Sequence, residues 1–205
     1  MTLNLDKKVL QKRVFKKELL NLHAREFMLG QTRRYLSLEK NTIDVGAATG
    51  MYTAFFAKFS KKVFSFEAVP PVFNQLTLVG KANKNVEVHN LAVGNFNGEA
   101  EFYVDDKRLS NSGFQNLVDG QKIIVETIKL DDFQIKNVGF IKIDVEGNEL
   151  DVLYGAEETI NEFKPNCMVE ITEQFNKYPI KTTFSFFFEK KYQCFYNVRD
   201  VGLKE

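Results

Sequence analysis

Two carboxylates and a glycine follow a hydrophobic strand in the second half of the chain. The run FIKIDVEGNE places Asp144 and Glu146 two residues apart, directly before Gly147. Side chains at this spacing share one face of an extended strand. An unpaired buried charge costs several kcal/mol, so packing alone does not explain the pair. Because ligands of open α/β sheets bind beyond the carboxyl ends of the strands, we expect the pair to serve a ligand site.

A glycine-containing turn follows an earlier predicted strand, in the run DVGAATG from Asp44 to Gly50. Gly46 and Gly50 permit a sharp turn and a close approach to a ligand, and the helix that follows presents free N–H groups. The dinucleotide pattern GxGxxG requires a glycine where Ala48 stands, which argues against a pyrophosphate. Asp44 would also repel a phosphate, so a cofactor with an ammonium group and hydroxyls suits this turn better.

The strand after this turn ends at Phe66 and Glu67. An acid at the tip of the second strand can accept hydrogen bonds from both hydroxyls of a ribose, so Glu67 predicts a nucleoside. His89 lies near the end of the third predicted strand, where alternation turns it away from Asn90. We therefore predict a structural role for His89.

Strands and helices alternate from residue 41 onward, which is typical of βαβ units and of an α/β fold with a parallel sheet. We treat residues 41–205 as one domain and residues 1–40, whose apolar positions recur at helical spacing, as an N-terminal helical extension. The last predicted elements are a helix and an edge strand within 182–198. The other predicted strands are 42–45, 62–66, 86–91, 139–145 and 167–171, and the other predicted helices are 51–59, 72–83 and 149–163.

Two alternating runs at 99–104 and 123–130 interrupt this order and predict an inserted β-hairpin. The polar connection between them is long, and long connections often act as lids or binding loops. Ser110, Asn111 and Ser112 in this loop are therefore candidate substrate-binding residues.

Charge and composition narrow the classes of partner. The net charge of +1 provides no overall attraction to nucleic acid or anionic membranes, and no apolar run of about 18 residues predicts a membrane span. Six basic residues between Lys7 and Lys17 predict a solvated helix face or a docking surface for an acidic partner or substrate. The polar, lysine-rich start of the chain does not predict a signal peptide. Cys167 and Cys194 have no metal-ligand spacing, so we expect reduced thiols and a cytoplasmic protein.

Five segments of the chain stand out together: DVGAATGMYT, FEAVPP, NLAVGNFNGEAEF, FIKIDVEGNELDVLYGA and PNCMVEI. In order and spacing they resemble the FkbM-like branch of the S-adenosylmethionine-dependent methyltransferases. The resemblance covers roughly residues 41–171, and IDVEG with the downstream GA is its most specific part. It implies the Rossmann-like class I methyltransferase fold, which is a seven-stranded, mostly parallel sheet with helices on both faces and an antiparallel last strand. Asparagine is common in the family where Ala48 stands.

The resemblance also implies S-adenosylmethionine as the methyl donor and an oxygen of a sugar or natural product as the acceptor. The glycine turn would line the methionine end of the donor, Glu67 would bind the ribose, and Asn90 and Ala92 would lie near the adenine. The residues expected to bind the cofactor are Asp44, Gly46, Ala47, Gly50, Tyr52, Glu67, Ala68, Asn90, Ala92 and Asp144.

Catalysis would then require positioning, which contributes roughly 7–11 kcal/mol, and a base, which adds about 10²–10⁴ in rate. Asp144, Glu146 and Glu170 are the candidate catalytic acids, and Glu146 is also a candidate substrate contact. Three acids could instead hold a divalent ion, which prefers oxygen ligands, but no spacing supports this and we predict no metal. Nearby, Asn148 could cap the following helix, and Glu149 and Asp151 suit its N-terminus.

Other classes of function are alternatives at this stage. A noncatalytic S-adenosylmethionine-binding module or partner subunit would bind the donor without turnover. An NAD-dependent oxidoreductase would share Glu67, but the middle glycine is absent. A nucleic-acid amino-methyltransferase should carry an Asn/Asp-Pro-Pro-aromatic motif where IDVEG stands. We expect a small-molecule acceptor such as a saccharide, and the N-terminal helices could pack against a second copy of the chain.

Overall fold

A computed structural model describes residues 29–104, 121–171, 176–198 and 202–204 of the chain. Short 3₁₀ turns lie at Arg33–Tyr35 and Leu130–Phe133. The helices are α1 (Met51–Phe56), α2 (Pro70–Ala82), α3 (Glu149–Gly155), α4 (Glu157–Phe163) and α5 (Ile180–Glu189). The strands are β1 (Asn41–Val45), β2 (Lys62–Phe66), β3 (Val86–His89), β4 (Ala92–Val93), β5 (Gly98–Val104), β6 (Gln121–Ile128), β7 (Val138–Ile143), β8 (Asn166–Val169), β9 (Tyr196–Val198) and β10 (Gly202–Lys204).

The main sheet has five strands in the order β3-β2-β1-β7-β8, and every neighbouring pair is parallel. The predicted α/β alternation and parallel sheet are confirmed. The chain leaves β1 toward β2 on one side, and β7 returns to the other side of β1. The order therefore reverses between β1 and β7, which is where ligands bind in open α/β sheets.

Helices cover both faces of this sheet, as predicted. On one face, Ile43 and Ile141 pack with Leu150 of α3, Ile160 of α4 and Phe186 of α5. A second cluster joins Phe56 of α1 to the sheet on the other side, and its further members are Leu36, Ala57, Val63 and Phe140. Burying each large apolar side chain contributes about 1.5–3 kcal/mol, so these two layers hold the strand ends in place.

The inserted hairpin is also confirmed, because β5 and β6 pair antiparallel from Gly98↔Thr127 to Val104↔Gln121. The strand count differs from the single seven-stranded sheet that the resemblance implied. In the described part of the chain, β6 pairs with β4 and β5 in a separate three-stranded sheet, and β9 pairs antiparallel with β10. The β6 strand of the hairpin is thus hydrogen-bonded to β4. The fold class is unchanged.

The prediction of a single helix over 149–163 is wrong in one respect, because the helix is interrupted at Ala156. The backbone of Ala156 has φ −115° and ψ 11°, which separates α3 from α4. The preceding Gly155 packs so closely that a Cβ there would lie 1.8 Å from the carbonyl oxygen of Gly94. The GA pair therefore marks the end of α3 against the segment after β4.

Parts of the predicted organisation lie outside the described residues. They include residues 1–28 of the predicted N-terminal extension, and the loop that contains Ser110, Asn111 and Ser112. The boundary between an extension and a domain at residue 41 stays a prediction. Both cysteines are free thiols, and no helix within the described ranges has the length and apolarity to cross a membrane.

Candidate functional site

The turns after β1 and β7 meet at the point where the strand order reverses. Asp44 and Lys142 are direct neighbours across these strands, and the amide of Asp144 donates to the carbonyl of Val45 at 3.2 Å. Gly46 has φ +70°, and a Cβ there would lie 1.8 Å from the carbonyl oxygen of Asp144. Only glycine allows this approach, so the two sequence motifs form one site.

A buried lysine links the two turns. The Nζ atom of Lys142 lies 3.4 Å from Asp44 Oδ1 and 3.3 Å from Asp144 Oδ2, and it donates a hydrogen bond of 3.1 Å to the carbonyl of Gly46. Burial favours the neutral amine, but attraction by Asp44 and Asp144 outweighs it and raises the pKa of Lys142. Lys142 is therefore protonated. Its positive charge balances part of the negative charge of the acids that the sequence analysis assigned to a ligand.

Sequence reasoning did not identify Lys142, although a signal was present. Lys142 precedes Asp144 by two residues on the same strand, so alternation places both side chains on one face. A lysine within the otherwise apolar run Phe140–Ile143 indicates a buried counterion.

Asp44 is completely buried and holds α1 against the sheet. Its Oδ2 atom accepts a hydrogen bond of 2.7 Å from Thr53 Oγ1, which also lies 2.9 Å from Ser65 Oγ. Oδ1 accepts no hydrogen bond from any described residue, although Lys142 is 3.4 Å away. The Asp44 carboxylate is therefore held by α1 on one oxygen and by the Lys142 charge on the other.

Glu67 fixes the glycine turn from the neighbouring strand. Its Oε2 atom accepts from the amide of Ala48 and its Oε1 atom accepts from the amide of Val69, both at 2.9 Å. Burial raises the pKa of Glu67, while these two N–H groups act in the opposite direction. Each oxygen keeps a second lone pair, so the predicted ribose contact is compatible with this structural role and stays a prediction.

Ala48 adopts the left-handed backbone conformation, with φ 48°. This conformation costs most L-residues roughly 1–2 kcal/mol, whereas asparagine tolerates it through local hydrogen bonds. We expect Ala48→Asn to raise the free energy of unfolding by about 1 kcal/mol in urea denaturation. Ala82→Asn, at the exposed last residue of α2, is the control and should lower it by less than about 0.5 kcal/mol. Equal losses in both variants would contradict the proposed relief of strain.

Two other cofactor candidates lie at the start of α1. Gly50 has φ +89°, and a Cβ there would lie 2.7 Å from Leu76 Cδ1 in α2. The ring of Tyr52 is centred 5.2 Å from Lys142 Nζ. Burial raises the pKa of Tyr52, and Glu170 and Asp144 add to this although Lys142 opposes them. Tyr52 therefore stays a neutral hydroxyl beside the acids.

The residues predicted near an adenine have clear structural contacts. The Asn90 amide donates to the carbonyls of Glu67 and Ala68, at 2.8 and 3.0 Å. Ala92 is buried in an apolar cluster with Val69, and Ala47 is also buried, whereas Ala68 is half-buried. Asn90 thus links the end of β3 to the segment that follows β2.

His89 packs among aromatic rings. It stacks on Phe66 with ring centroids 5.0 Å apart, and it lies edge-on to Phe133 at 4.6 Å. Burial lowers the pKa of His89, against the opposing effect of Glu87. These contacts support the structural role predicted for His89.

Glu146 is the most perturbed acid at the site. Burial, followed by repulsion from Asp144, Glu170 and Glu149, raises its pKa from 4.5 to about 7. Its backbone is left-handed, with φ 50°, a strained conformation that is common at functional sites. The amide of Glu170 donates to the carbonyl of Ile143 at 2.9 Å, so the end of β8 lies beside the end of β7. The three predicted catalytic acids are therefore electrostatic neighbours.

The residues that open α3 are only partly as predicted. Asn148 occupies the N-cap position, but its side chain makes no capping hydrogen bond, so that prediction is wrong. Glu149 instead accepts from the amide of Gly147 at 2.9 Å, which fixes the turn before α3. Asp151 lies in the first turn and accepts from three side chains, those of Asn95, Lys177 and Tyr178. Among the described residues there is no group of three or more His, Cys, Asp or Glu that could hold a metal ion.

Comparisons with known proteins place this geometry in context. The family model described as the methyltransferase FkbM domain matches residues 44–194. "Methyltransferase 1" of Beauveria bassiana (strain ARSEF 2860) is 24% identical, across 64% of this chain and 64% of that protein. The crystal structure of methyltransferase FkbM from Methylobacillus flagellatus KT has a TM-score of 0.50 at 22% identity, across 65% of this chain and 33% of that chain. The chain therefore spans about two thirds and one third of these relatives, and the likeness to the crystal structure concerns the fold alone.

Proposed function

The chain belongs to the FkbM methyltransferase domain family, and from this premise we propose that it methylates a hydroxyl of a small acceptor with S-adenosylmethionine as donor. The observation that carries the proposal is the meeting of the Gly46 turn with the acids at the ends of β7 and β8. Glu146, with its pKa of about 7, is the proposed general base. The resemblance favours a saccharide or another natural product as the acceptor.

The residues present fit the donor. Asp44 is completely buried and pairs with Lys142, so its proposed contribution is to hold the glycine turn that faces the methionine end of the donor. Gly46 and Gly50 let the turn pack directly on Asp144 and on α2, which fixes the backbone proposed to face the methionine side, and Glu67 keeps lone pairs for ribose hydroxyls. When bound, S-adenosylmethionine supplies a methyl group that its positively charged sulfur has already activated. The other proposed contacts are Ala47, Tyr52, Ala68, Asn90, Ala92 and Asp144.

Glu146 has the properties that proton removal from a hydroxyl requires. A base is most effective when its pKa lies near the working pH, because it is then both ionised and basic enough. The carboxylate of Asp144 lies beside Lys142, which orients it, whereas the structure shows no such cation at Glu146 among the described residues. Burial, and then repulsion from Asp144 and Glu170, raises the basicity of Glu146, which takes the proton in the proposed reaction.

The pH dependence tests this division of roles. Glu170→Gln removes one negative charge that disfavours ionisation of Glu146, so the pKa of Glu146 should fall. Activity requires the ionised base, so the acid limb of the rate profile should move to lower pH by roughly half a unit. Glu158→Gln, at an exposed position of α4, is the control and should leave the profile in place. A shift to higher pH in Glu170→Gln would oppose the proposal.

The proposed donor and reaction can be tested separately. Calorimetry should show binding of S-adenosylmethionine and S-adenosylhomocysteine, and no binding of NAD. Mass spectrometry of reactions with a panel of saccharides and phenolic natural products should then show a mass gain of one methylene unit. Donor binding without turnover across the panel would favour a noncatalytic module. We also propose a reducing, cytoplasmic setting, which the two free thiols support.

A further inference from the structure

An exposed lysine stands one or two residues before each strand of the five-stranded sheet. These lysines are Lys40 before β1, Lys61 before β2, Lys84 before β3, Lys136 before β7 and Lys164 before β8. Because the five strands are parallel, all five residues lie at the amino-terminal edge of the sheet. Neighbouring strands are about 4.8 Å apart, so the strand starts extend over roughly 20 Å. We call this surface the lysine edge.

Hydrogen bonds join the chain segments that carry the lysine edge. The amide of Lys61 donates to the carbonyl of Lys40 at 2.8 Å. Asn41 Nδ2 donates to the carbonyl of Lys136 at 2.7 Å, and the Asn41 amide donates to the carbonyl of Asn137 at 2.9 Å. The segments before β1, β2 and β7 therefore form one continuous surface.

Two further exposed cations adjoin the lysine edge. Lys58 lies in the connection between α1 and β2. Arg33 lies against the same connection, with its Cζ atom 4.1 Å from the centre of the Phe59 ring. Glu39, in the turn before β1, is an exposed acid that offsets one of these charges.

Two other acids near the edge are already paired. Glu87 forms an ion pair with Lys62 on the neighbouring strand, so these two charges cancel. Glu162 Oε2 lies 3.7 Å from Lys136 Nζ. Positive charge therefore remains in excess along the edge.

Three of the five lysines carry the clearest excess. No carboxylate of the described ranges pairs with Lys40, Lys61 or Lys84. Residues 1–28 of the sequence contain seven Lys or Arg and three acids, so they supply no excess of negative charge. The net charge of the chain is +1, so acids elsewhere balance the edge, several of them in the candidate site at the opposite ends of the strands.

A leucine lies beside these cations. The turn into β1 is closed by a 3.1 Å hydrogen bond from the amide of Lys40 to the carbonyl of Ser37. Leu38 lies within this turn, and its side chain is 65% exposed. An anionic membrane offers negatively charged headgroups above an apolar layer, which matches cations beside an exposed leucine.

Nucleic acid matches the same surface less well. Single strands bind by stacking their bases on exposed aromatic rings. Two rings at this edge are covered by cations, since Arg33 lies over Phe59 and Lys136 lies over Phe163, at 4.1 and 5.9 Å from the ring centres. Leu38 also provides no hydrogen bond to a base or a phosphate. The combination of charge and leucine therefore favours a membrane.

We propose that the lysine edge docks the protein on the surface of an anionic membrane, with Leu38 entering the interface. Lys40 and Gly46 lie at opposite ends of β1, roughly 20 Å apart at about 3.3 Å per residue. The candidate site therefore faces away from the membrane and stays open to molecules in water. This docking goes beyond the proposed methyl transfer and does not depend on it.

Vesicle sedimentation tests the docking. The full chain should sediment with phosphatidylcholine vesicles that contain about 30% phosphatidylserine, and it should stay in solution with pure phosphatidylcholine. Raising sodium chloride to about 0.5 M should release it, because salt screens exposed charges. Equal binding to both kinds of vesicle, or binding to neither, would overturn the proposal.

Neutral substitutions locate the contact. Combining Lys40→Gln, Lys61→Gln and Lys84→Gln should lower the partition coefficient on the anionic vesicles about 100-fold, at about fivefold for each lysine. Glutamine keeps the Cβ and Cγ atoms of Lys40, which lie beside Gly139. The midpoint of urea denaturation should therefore stay close to that of the wild type, which separates lost docking from lost folding.

The matched control removes three lysines outside the edge. Lys122 and Lys129 pair with acids of their own surroundings, and Lys181 lies in the first turn of α5. Changing all three to glutamine should alter partitioning at most about twofold, because charges beyond a Debye length of the membrane are screened. Equal losses in the two triple variants would overturn docking by the lysine edge.

The leucine has its own matched control. Leu38→Ser should lower partitioning about tenfold, because an apolar side chain no longer enters the interface. Leu78 of α2 is also 65% exposed, and Leu78→Ser should partition as the wild type does. Wild-type partitioning of Leu38→Ser would overturn the proposed entry of Leu38.

Two further measurements separate the alternatives. Fluorescence anisotropy with DNA of about 20 nucleotides should show weaker binding than the vesicles at the same salt, and tighter binding to DNA would overturn the membrane assignment. Donor binding without vesicle binding would refute the docking alone. Vesicle binding without donor binding would refute the proposed function and leave the docking surface intact.

Discussion

Glu146→Gln is expected to lower the turnover number by about 10²–10⁴ while donor affinity is retained. Glutamine preserves the size of the side chain and the strained backbone at this position, but it cannot accept the proton of the hydroxyl. The loss should therefore fall on kcat and not on the calorimetric affinity for S-adenosylmethionine. The matched control is Glu162→Gln, an acid of α4 whose side chain is 56% exposed and which should keep normal activity.

The pH dependence distinguishes a base from a structural acid. Wild-type activity should rise as Glu146 ionises, with a midpoint near its pKa of about 7. The residual activity of Glu146→Gln should lack this limb. Wild-type turnover with an unchanged profile in the variant would eliminate Glu146 as the base and leave Asp144 and Glu170 as candidates.

The pH dependence of folding stability provides an independent test of the raised pKa of Glu146. The pKa of Glu146 is raised in the folded protein, so below 4.5 both states bind the proton and ionisation has no effect on stability. As pH rises from 4.5 to about 7, the unfolded chain loses the proton more readily and the folded state becomes relatively less stable. Glu146→Gln lacks this loss and should be at least as stable as the wild type at mildly alkaline pH. Reduced stability there would point to a structural role instead.

The strand ends were predictable because their signals are local. Glycines after an apolar strand and acids at a strand tip depend only on neighbouring residues, and alternation of elements predicts the parallel sheet. The long-range pairings could not be predicted in this way. Asp44 meets Lys142 only because β7 returns beside β1. Periodicity also does not predict that backbone amides bind both Glu67 oxygens. Nor does it predict that Asp144 pairs with Lys142 while Glu146 has a raised pKa.

Two predictions from local sequence were wrong. Local propensity favours one helix from Glu149 to Phe163, but the close contact of Gly155 with Gly94 accompanies its end. A side-chain cap by Asn148 was reasonable from residue type, yet the structure has no such bond, and Glu149 instead binds the amide of Gly147 in the turn before the helix. At the helix break, a tertiary contact accompanies the departure from the local preference.

Lys142→Met is expected to lower the free energy of unfolding by about 3–5 kcal/mol, because breaking a buried ion pair leaves an uncompensated buried charge. Asp44 is completely buried and would keep only its hydrogen bond from Thr53. The pKa of Lys142 is raised in the folded state, so its contribution is complete below the ordinary lysine pKa of 10.5 and is lost as pH rises through the folded pKa. Urea denaturation at neutral pH and in strong alkali should show the difference between wild type and variant shrinking.

A matched pair of variants isolates the effect of burial. Lys177 also lies close to an aspartate, with Nζ 3.0 Å from Asp151 Oδ2, but its side chain is 49% exposed whereas that of Lys142 is 3% exposed. Lys177→Met should therefore cost at most about 1 kcal/mol. Adding Asp44→Asn to Lys142→Met removes the unpaired acid and should restore part of the stability, which a double-mutant cycle would measure. If the two lysine variants lose equal stability and Asp44→Asn restores none, the buried charge does not join the two turns. The Gly46 approach and backbone hydrogen bonds would then hold the site together.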